Sequence, residues 1–174
     1  MQLVQQAENL YKRLSQDEEL LRLLFYKAKH SGDNVLDKRI RPDILSSKTE
    51  LSSGIPEDRR QRAFEIIKDR IKPTNKYKDL EGEIKCRICA YLGDRIKEEK
   101  NHLYAKQEII IDILVHHAYD EVDHRSLKIA EEIQRLLFQE RTGFGKNMYE
   151  SMKRTELVPE YISYRLVYST GGIN

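Results

Sequence analysis

Residues 83 to 117 restrict the possible folds of this chain more than any other stretch. The run Glu83-Ile-Lys-Cys-Arg-Ile-Cys-Ala-Tyr-Leu92 sets Ile84, Cys86, Ile88, Ala90 and Leu92 against Lys85, Arg87, Cys89 and Tyr91. A repeat of two puts each set on its own face of a strand, one apolar and one basic and polar. In the second run Ile109, Ile111, Ile113 and Val115 fall on one face, and Ile110, Asp112, Leu114 and His116 on the other. Between the runs, Gly93-Asp-Arg-Ile-Lys-Glu-Glu-Lys-Asn101 holds six charges in nine residues and cannot be core. Two strands about a charged, solvated tip predict a long β-hairpin.

A chain of 174 residues is large enough to bury a real core as one domain. Its 31 basic and 29 acidic side chains give a densely ionic surface with a net charge of only +2. That balance excludes a polybasic nucleic-acid binder, whose affinity rests on neutralising phosphates, though it leaves room for a local basic face at Lys85 and Arg87. No run approaches the roughly 20 apolar residues needed to span a bilayer. The start, Met-Gln-Leu-Val-Gln-Gln-Ala-Glu, lacks the basic and apolar regions of a signal peptide, so cytoplasmic synthesis is expected.

Helices are predicted on both sides of the hairpin. Leu3, Ala7, Leu10 and Leu14 stand at helical spacing, and Ser15-Gln-Asp-Glu18 reads as a capping box opening a leucine-rich helix that ends near His30-Ser-Gly32. Residues 31 to 55 read as an irregular excursion with a short strand around Ile40 to Leu45, long enough to reach another protein. Pro56-Glu-Asp opens a further helix with the stripe Ala63, Ile66, Ile67 and Ile71, stopped by Lys72-Pro73. After the hairpin, Asp120 and Asp123 are suited to cap a helix carrying Leu127, Ala130, Ile133, Leu136, Leu137 and Phe138, ended by Gly143-Phe-Gly145 and laid on the apolar face of the sheet. Residues 146 to 156 read equally as strand or loop. Tyr161-Ile-Ser-Tyr-Arg-Leu-Val-Tyr-Ser169 is the closing strand, and Gly171-Gly-Ile-Asn174 reads as a tail.

The chemistry-bearing residues form no familiar active site. Cys86 and Cys89 sit three apart on one strand, so their side chains point to opposite faces, which suits neither a disulfide nor a zinc site lacking a second ligand pair. His116, His117, Asp120, Asp123 and His124 are the right ligand types for a metal that activates water. Against that, His116 and His117 face opposite ways on a strand, and helix capping accounts for the acids. Lys106, Glu108 and Asp112 share a strand face in a nuclease-like arrangement, yet nothing makes the two acids converge on one metal. Gly143-Phe-Gly145-Lys lacks the spacing of a phosphate loop. Tyr91, Tyr104, Tyr161, Tyr164 and Tyr168 are the candidates for stacking bases, a role in which strand tyrosines are outnumbered by packing residues. The residues argue for no catalytic group, no metal and no cofactor.

The order of elements, with Cys86-Arg-Ile-Cys-Ala-Tyr-Leu-Gly-Asp-Arg95, Gln107-Glu-Ile-Ile-Ile-Asp-Ile-Leu-Val-His116, Asp123-His-Arg-Ser-Leu-Lys-Ile-Ala130 and Tyr161-Ile-Ser-Tyr-Arg-Leu-Val-Tyr168, resembles the neck proteins of tailed bacteriophages. The similarity is to the tail terminator or tail-completion family and covers roughly residues 56 to 170. It implies an α+β subunit: N-terminal helices, then a mainly antiparallel sheet built on a long β-hairpin with a helix packed across it. Residues 1 to 55 then form a helical N-terminal extension and long loop, and 56 to 170 the tail-terminator-like core of a single domain.

The same resemblance implies a structural virion protein at the head–tail junction, located in the virion neck and, during assembly, in the host cytoplasm. Its expected partners are copies of itself in a ring, commonly a hexamer, the tail tube protein, the head connector or stopper protein, and the passing genomic DNA, with no membrane. Lys85, Arg87, Arg95, Lys97 and Lys100 are the residues expected to contact a neighbouring subunit or the channel through electrostatics, so that reversing Lys97 and Lys100 to Glu impairs assembly and leaves the fold intact. Two rivals stand beside this reading. One is a metal-dependent nucleic-acid-processing enzyme built on His116, His117, Asp120 and His124, and the other an adaptor or regulatory module binding through the leucine-rich helix at 16 to 29.

Overall fold

The N-terminal leucines make the core together with the hairpin. In the computed structural model, which describes residues 2–45, 57–97, 104–138 and 146–173, helix α1 spans Gln2–Ser15 and α2 spans Glu18–Phe25. Helix α3, Glu57–Arg70, leads directly into the two-residue strand β1, Ile71–Lys72, and a 3-10 turn at Lys78–Leu80 follows. The hairpin is β2, Cys86–Lys97, with β3, Tyr104–His116. Helices α4, His117–Asp123, and α5, Arg125–Leu137, precede strands β4, Asn147–Thr155, and β5, Tyr161–Ile173.

The five strands lie in the order β1-β2-β3-β5-β4. Only β1 runs parallel to its neighbour, and the remaining pairs are antiparallel. The architecture is therefore the expected α+β one, a helical layer on a sheet built on the hairpin. The described α-helices lie on the sheet's inner face. Leu10, Leu14, Leu21 and Leu24 share one buried cluster with Ile88, Ile109, Ile111, Ile113, Ile133 and Leu137.

The outer face is not the solvated basic surface that alternation predicts. Its lower end holds a second, smaller core of Leu80, Cys89, Leu114, Val158 and Tyr161. The 3-10 turn and the Leu157–Val158 segment cover it, so Arg87 and Cys89 on that face are buried. The two cysteines do occupy opposite faces, Cys86 in the large cluster and Cys89 in the small one.

Other corrections have local causes. The cap of α2 is Asp17, whose carboxylate accepts from the amide of Leu20 at 2.8 Å, while Ser15 closes α1 and donates to its Lys12 carbonyl. Helix α2 stops at Phe25, five residues early, and Ile40–Leu45 is no strand. That segment is tied down by side chains. Arg22, fully buried, donates to the carbonyls of Val35, Asp37, Arg41 and Pro42, and the Glu18 carboxylate accepts from the amides of Ile44 and Leu45 at 2.7 Å each.

Asp123 does not cap α5; it is buried against Arg125, and it is Asp120 that accepts from the Ser126 amide at 2.7 Å. Residues 147 to 155 are a strand, and the expected tail is strand as well, with Gly171 and Gly172 opposite Lys106 and Ala105. The expected helix end at Gly143-Phe-Gly145 lies outside the described residues, as does Lys100.

Candidate interaction surface

Above the second cluster, the outer face carries a row of polar and apolar side chains with no helix over them among the described residues. Tyr91, Ile110, Val167 and Ser151 are cross-strand neighbours there, each half-buried. One row below, Asp112 is fully buried. Arg165 donates from Nε to Oδ1 at 2.7 Å and from Nη2 to Oδ2 at 3.0 Å, and the Tyr91 hydroxyl donates to the same Oδ2 at 2.8 Å. Burial and the bond to the Asp112 carboxylate push the Tyr91 phenol well above its ordinary range, so it stays a donor. The carboxylate thus accepts three charge-assisted or phenolic bonds and is held in place as an ion-pair centre, far from the demands of a general base.

Nearer the tip, Lys106 pairs with Glu150 at 2.6 Å, and Glu150 also accepts from Ser169. These bonds hold the Glu150 carboxyl below its usual range. Glu108 accepts from the Asp94 amide at 3.4 Å, so the Lys106, Glu108 and Asp112 set is divided among separate partners.

The five cations singled out by sequence are not equivalent. Lys85 is bound to Asp69, with Nζ at 3.2 Å from each oxygen. Arg87 is 1% exposed and pairs with Asp79 at 2.7 Å and Asp69 at 3.1 Å. Burial alone would raise the Asp69 carboxyl, but Lys85, Arg70 and Arg87 outweigh it and hold it below its usual range. These two cations fix β2 to the end of α3 and to the 3-10 turn. Arg95 and Lys97 are exposed on the distal part of the hairpin, where Asp94 and Ile96 are exposed too. A bulge between Leu92 and Arg95 turns this end, and the Gln107 amide fills it by donating to the Gly93 carbonyl at 3.0 Å. A Cβ at position 93 would lie 2.7 Å from the end of the Ile110 side chain, which would have to shift to admit it.

The histidine and acid cluster is dispersed. The Nδ1 of His116 accepts from the Ala118 amide and so caps α4, Asp120 serves α5, and Asp123 serves Arg125. Among the described residues no three His, Cys, Asp or Glu side chains are grouped to hold a metal ion. Burial pushes both cysteine thiols up to about 12, which leaves them protonated and unreactive at neutral pH. Among the described residues no helix is long and apolar enough to cross a membrane.

Sequence reasoning missed a different feature. Phe138, Met148 and Tyr149 are 70%, 65% and 48% exposed. Together with Gln134, Asn147 and Tyr168 they line a hollow of about 440 Å³ between the end of α5 and the edge strand β4. The only sequence signal was Phe138, counted among the apolar residues of the helix, whereas the helix ends one residue before it.

Comparison with known proteins places these features in a lineage. The chain is 27% identical to the SPbeta prophage-derived uncharacterized protein YomW of Bacillus subtilis (strain 168), over 97% of this chain and 96% of that one. The expectation of a bacteriophage origin is supported at that level, by a prophage-derived relative matched nearly end to end. Residues 17–170 match the YomW family model, a span that runs from α2 through β5 as far as Thr170, and the chain belongs to the YomW family.

Proposed function

We propose that the protein is a non-catalytic structural component of a tailed-phage virion, a ring subunit of the head–tail junction of the tail terminator or tail-completion kind. The observation that carries this reading is the sheet's outer face. Above the small cluster it is bare among the described residues, and it ends in the exposed hairpin segment Asp94–Lys97. A subunit with helices on one side and an uncovered mixed surface on the other is suited to bury that surface against neighbours in an assembly. The prophage origin of the Bacillus subtilis relative supports the same context. In such a ring the self-contacts come first, and the tail tube protein, the head connector and the passing DNA meet the assembled surface. Arg95 and Lys97 on the hairpin and Lys153 on β4 are the described cations placed to meet them.

The test is deletion of the gene from an inducible prophage carrying a family member, followed by electron microscopy of the induced lysate. Filled heads separate from tails, with tails of irregular length, are expected. A normal yield of joined, infectious particles overturns the reading.

A further inference from the structure

Among the described residues, two edges of the sheet lack a neighbouring strand at the same height. Beyond the short pairing of β1 with Ile88 and Cys89, no strand among the described residues lies along the outer edge of β2 from Ala90 to Lys97. At the other side of the sheet, no strand among the described residues pairs with the outer edge of β4. Cross-strand register connects the two. Ala90 is level with Ile111, Leu166 and Met152, and Arg95 is level with Gln107, Thr170 and Asn147. The vacant stretch of β2 therefore stands opposite Asn147–Met152 across the width of the sheet. Unpaired backbone groups along an edge template the addition of another strand.

We propose that these edges meet between copies: β4 of one subunit receives the Ala90–Arg95 edge of the next as an antiparallel strand. The proposal deepens the ring reading above by naming its self-contact. Strand direction fits, since three antiparallel pairings in succession make β4 run opposite to β2. A neighbour related by rotation about an axis along the strands keeps its β2 direction, so the new pair is antiparallel without any vertical slip. Apolar groups flank both edges. Phe138, Met148 and Tyr149 border β4, and Leu92 and the exposed Ile96 border β2. The hollow beside β4 gives the incoming strand a place for one large apolar side chain, as strand addition requires for specificity.

Each edge also carries a bulge, between Leu92 and Arg95 and between Tyr149 and Ser151, at nearly the same height. Bulges bend and twist a strand, and curvature at the contact lets a repeated sheet close on itself. Because the two edges are different surfaces, the contact is head-to-tail, which generates rings when the rotation closes.

The test uses two single variants of the full chain, Met148→Cys and Asp94→Cys, whose side chains are exposed and level with each other across the sheet. The native Cys86 and Cys89 are fully buried and leave the introduced thiols as the reactive ones. A short bis-maleimide is added to each variant alone and to their mixture over a concentration series. Cross-linked dimer in the mixture and in neither variant alone is the expected result. Dimer in one variant alone shows a two-fold contact and overturns the proposal, as does the absence of dimer everywhere. A closed oligomer by native mass spectrometry without the cross-link leaves the ring reading standing and removes the edge contact. The cross-link in open chains does the reverse.

Discussion

Arg125 shows how one side chain joins distant parts of the chain. It is fully buried, and its Nη1 donates to the carbonyls of Leu23 and Tyr26 at 2.6 Å each, closing the end of α2. Its other nitrogens hold Asp123, itself buried, with Nη2 at 2.9 Å. Removing one partner of a buried pair strands the other charge and costs about 3–5 kcal/mol. The Arg125→Met variant is therefore expected to lose that much stability in a urea titration, with a melting temperature lower by on the order of 10 °C. Replacing Asp123 as well, by Asn, recovers part of the loss because no buried charge is left unpaired. Lys128, which also reaches Asp123 at 3.4 Å, is half-exposed to water, and the remainder of the loss reports the freed carbonyls of α2. Arg39, whose side chain is 90% exposed against Asp37, is the control. Arg39→Ala is expected to leave the melting temperature unchanged, since an exposed pair is screened by water. Equal losses in Arg125→Met and Arg39→Ala would show that the buried arginine does not hold the layers together.

The elements differ in how far local pattern reveals them. The hairpin was legible because one face of both strands is buried along its length, so Ile88, Ile109, Ile111 and Ile113 keep strict alternation. Strand β1 was not, since two residues between a helix end and Pro73 carry no period. Strand β4 was obscured by the bulge before Ser151, which breaks alternation in an already polar sequence. The segment after α2 owes its shape to Arg22 and Glu18, thirteen to 27 residues away from the groups they bind, and short-range signals do not carry that information. The candidate surface was legible only in part: Arg95 and Lys97 are exposed as expected, while the shielding of Arg87 depends on a turn that packs beneath it.

Gly171 and Gly172 were misread for a physical reason, because glycine weakens a strand and favours turns. Here the backbone is held by pairing with Lys106 and Ala105. Truncation after Thr170 removes that pairing. It is expected to speed amide exchange at Tyr104, Ala105 and Lys106 while the helices and lower strands keep their protection. Unchanged exchange at those three residues would mean the terminal residues contribute nothing to the strand.

For the whole molecule, acid should act first on the paired carboxylates. Within the segment after α2, hydrogen bonds from Arg41 and the Lys29 amide hold the Asp33 carboxyl far below its usual range. Arg87 likewise lowers Asp79, and Lys85, Arg70 and Arg87 together lower Asp69 against the opposing effect of burial. Each of these carboxylates is more acidic folded than unfolded, where an aspartate titrates at about 3.9. Their stabilisation is complete above that value and is lost as pH falls through the folded values. The melting temperature is therefore expected to stay level from pH 7 to about 5 and to drop steeply between about 4 and 2. Asp69 faces Arg70 beside it on α3, Arg87 on β2 and Lys85 just before β2, so its protonation frees the end of α3 from β2. In Asp69→Asn that step is already lost at neutral pH, so its melting curve starts lower and falls less on acidification than the parent's. A parallel fall in the two proteins would place the acid sensitivity elsewhere.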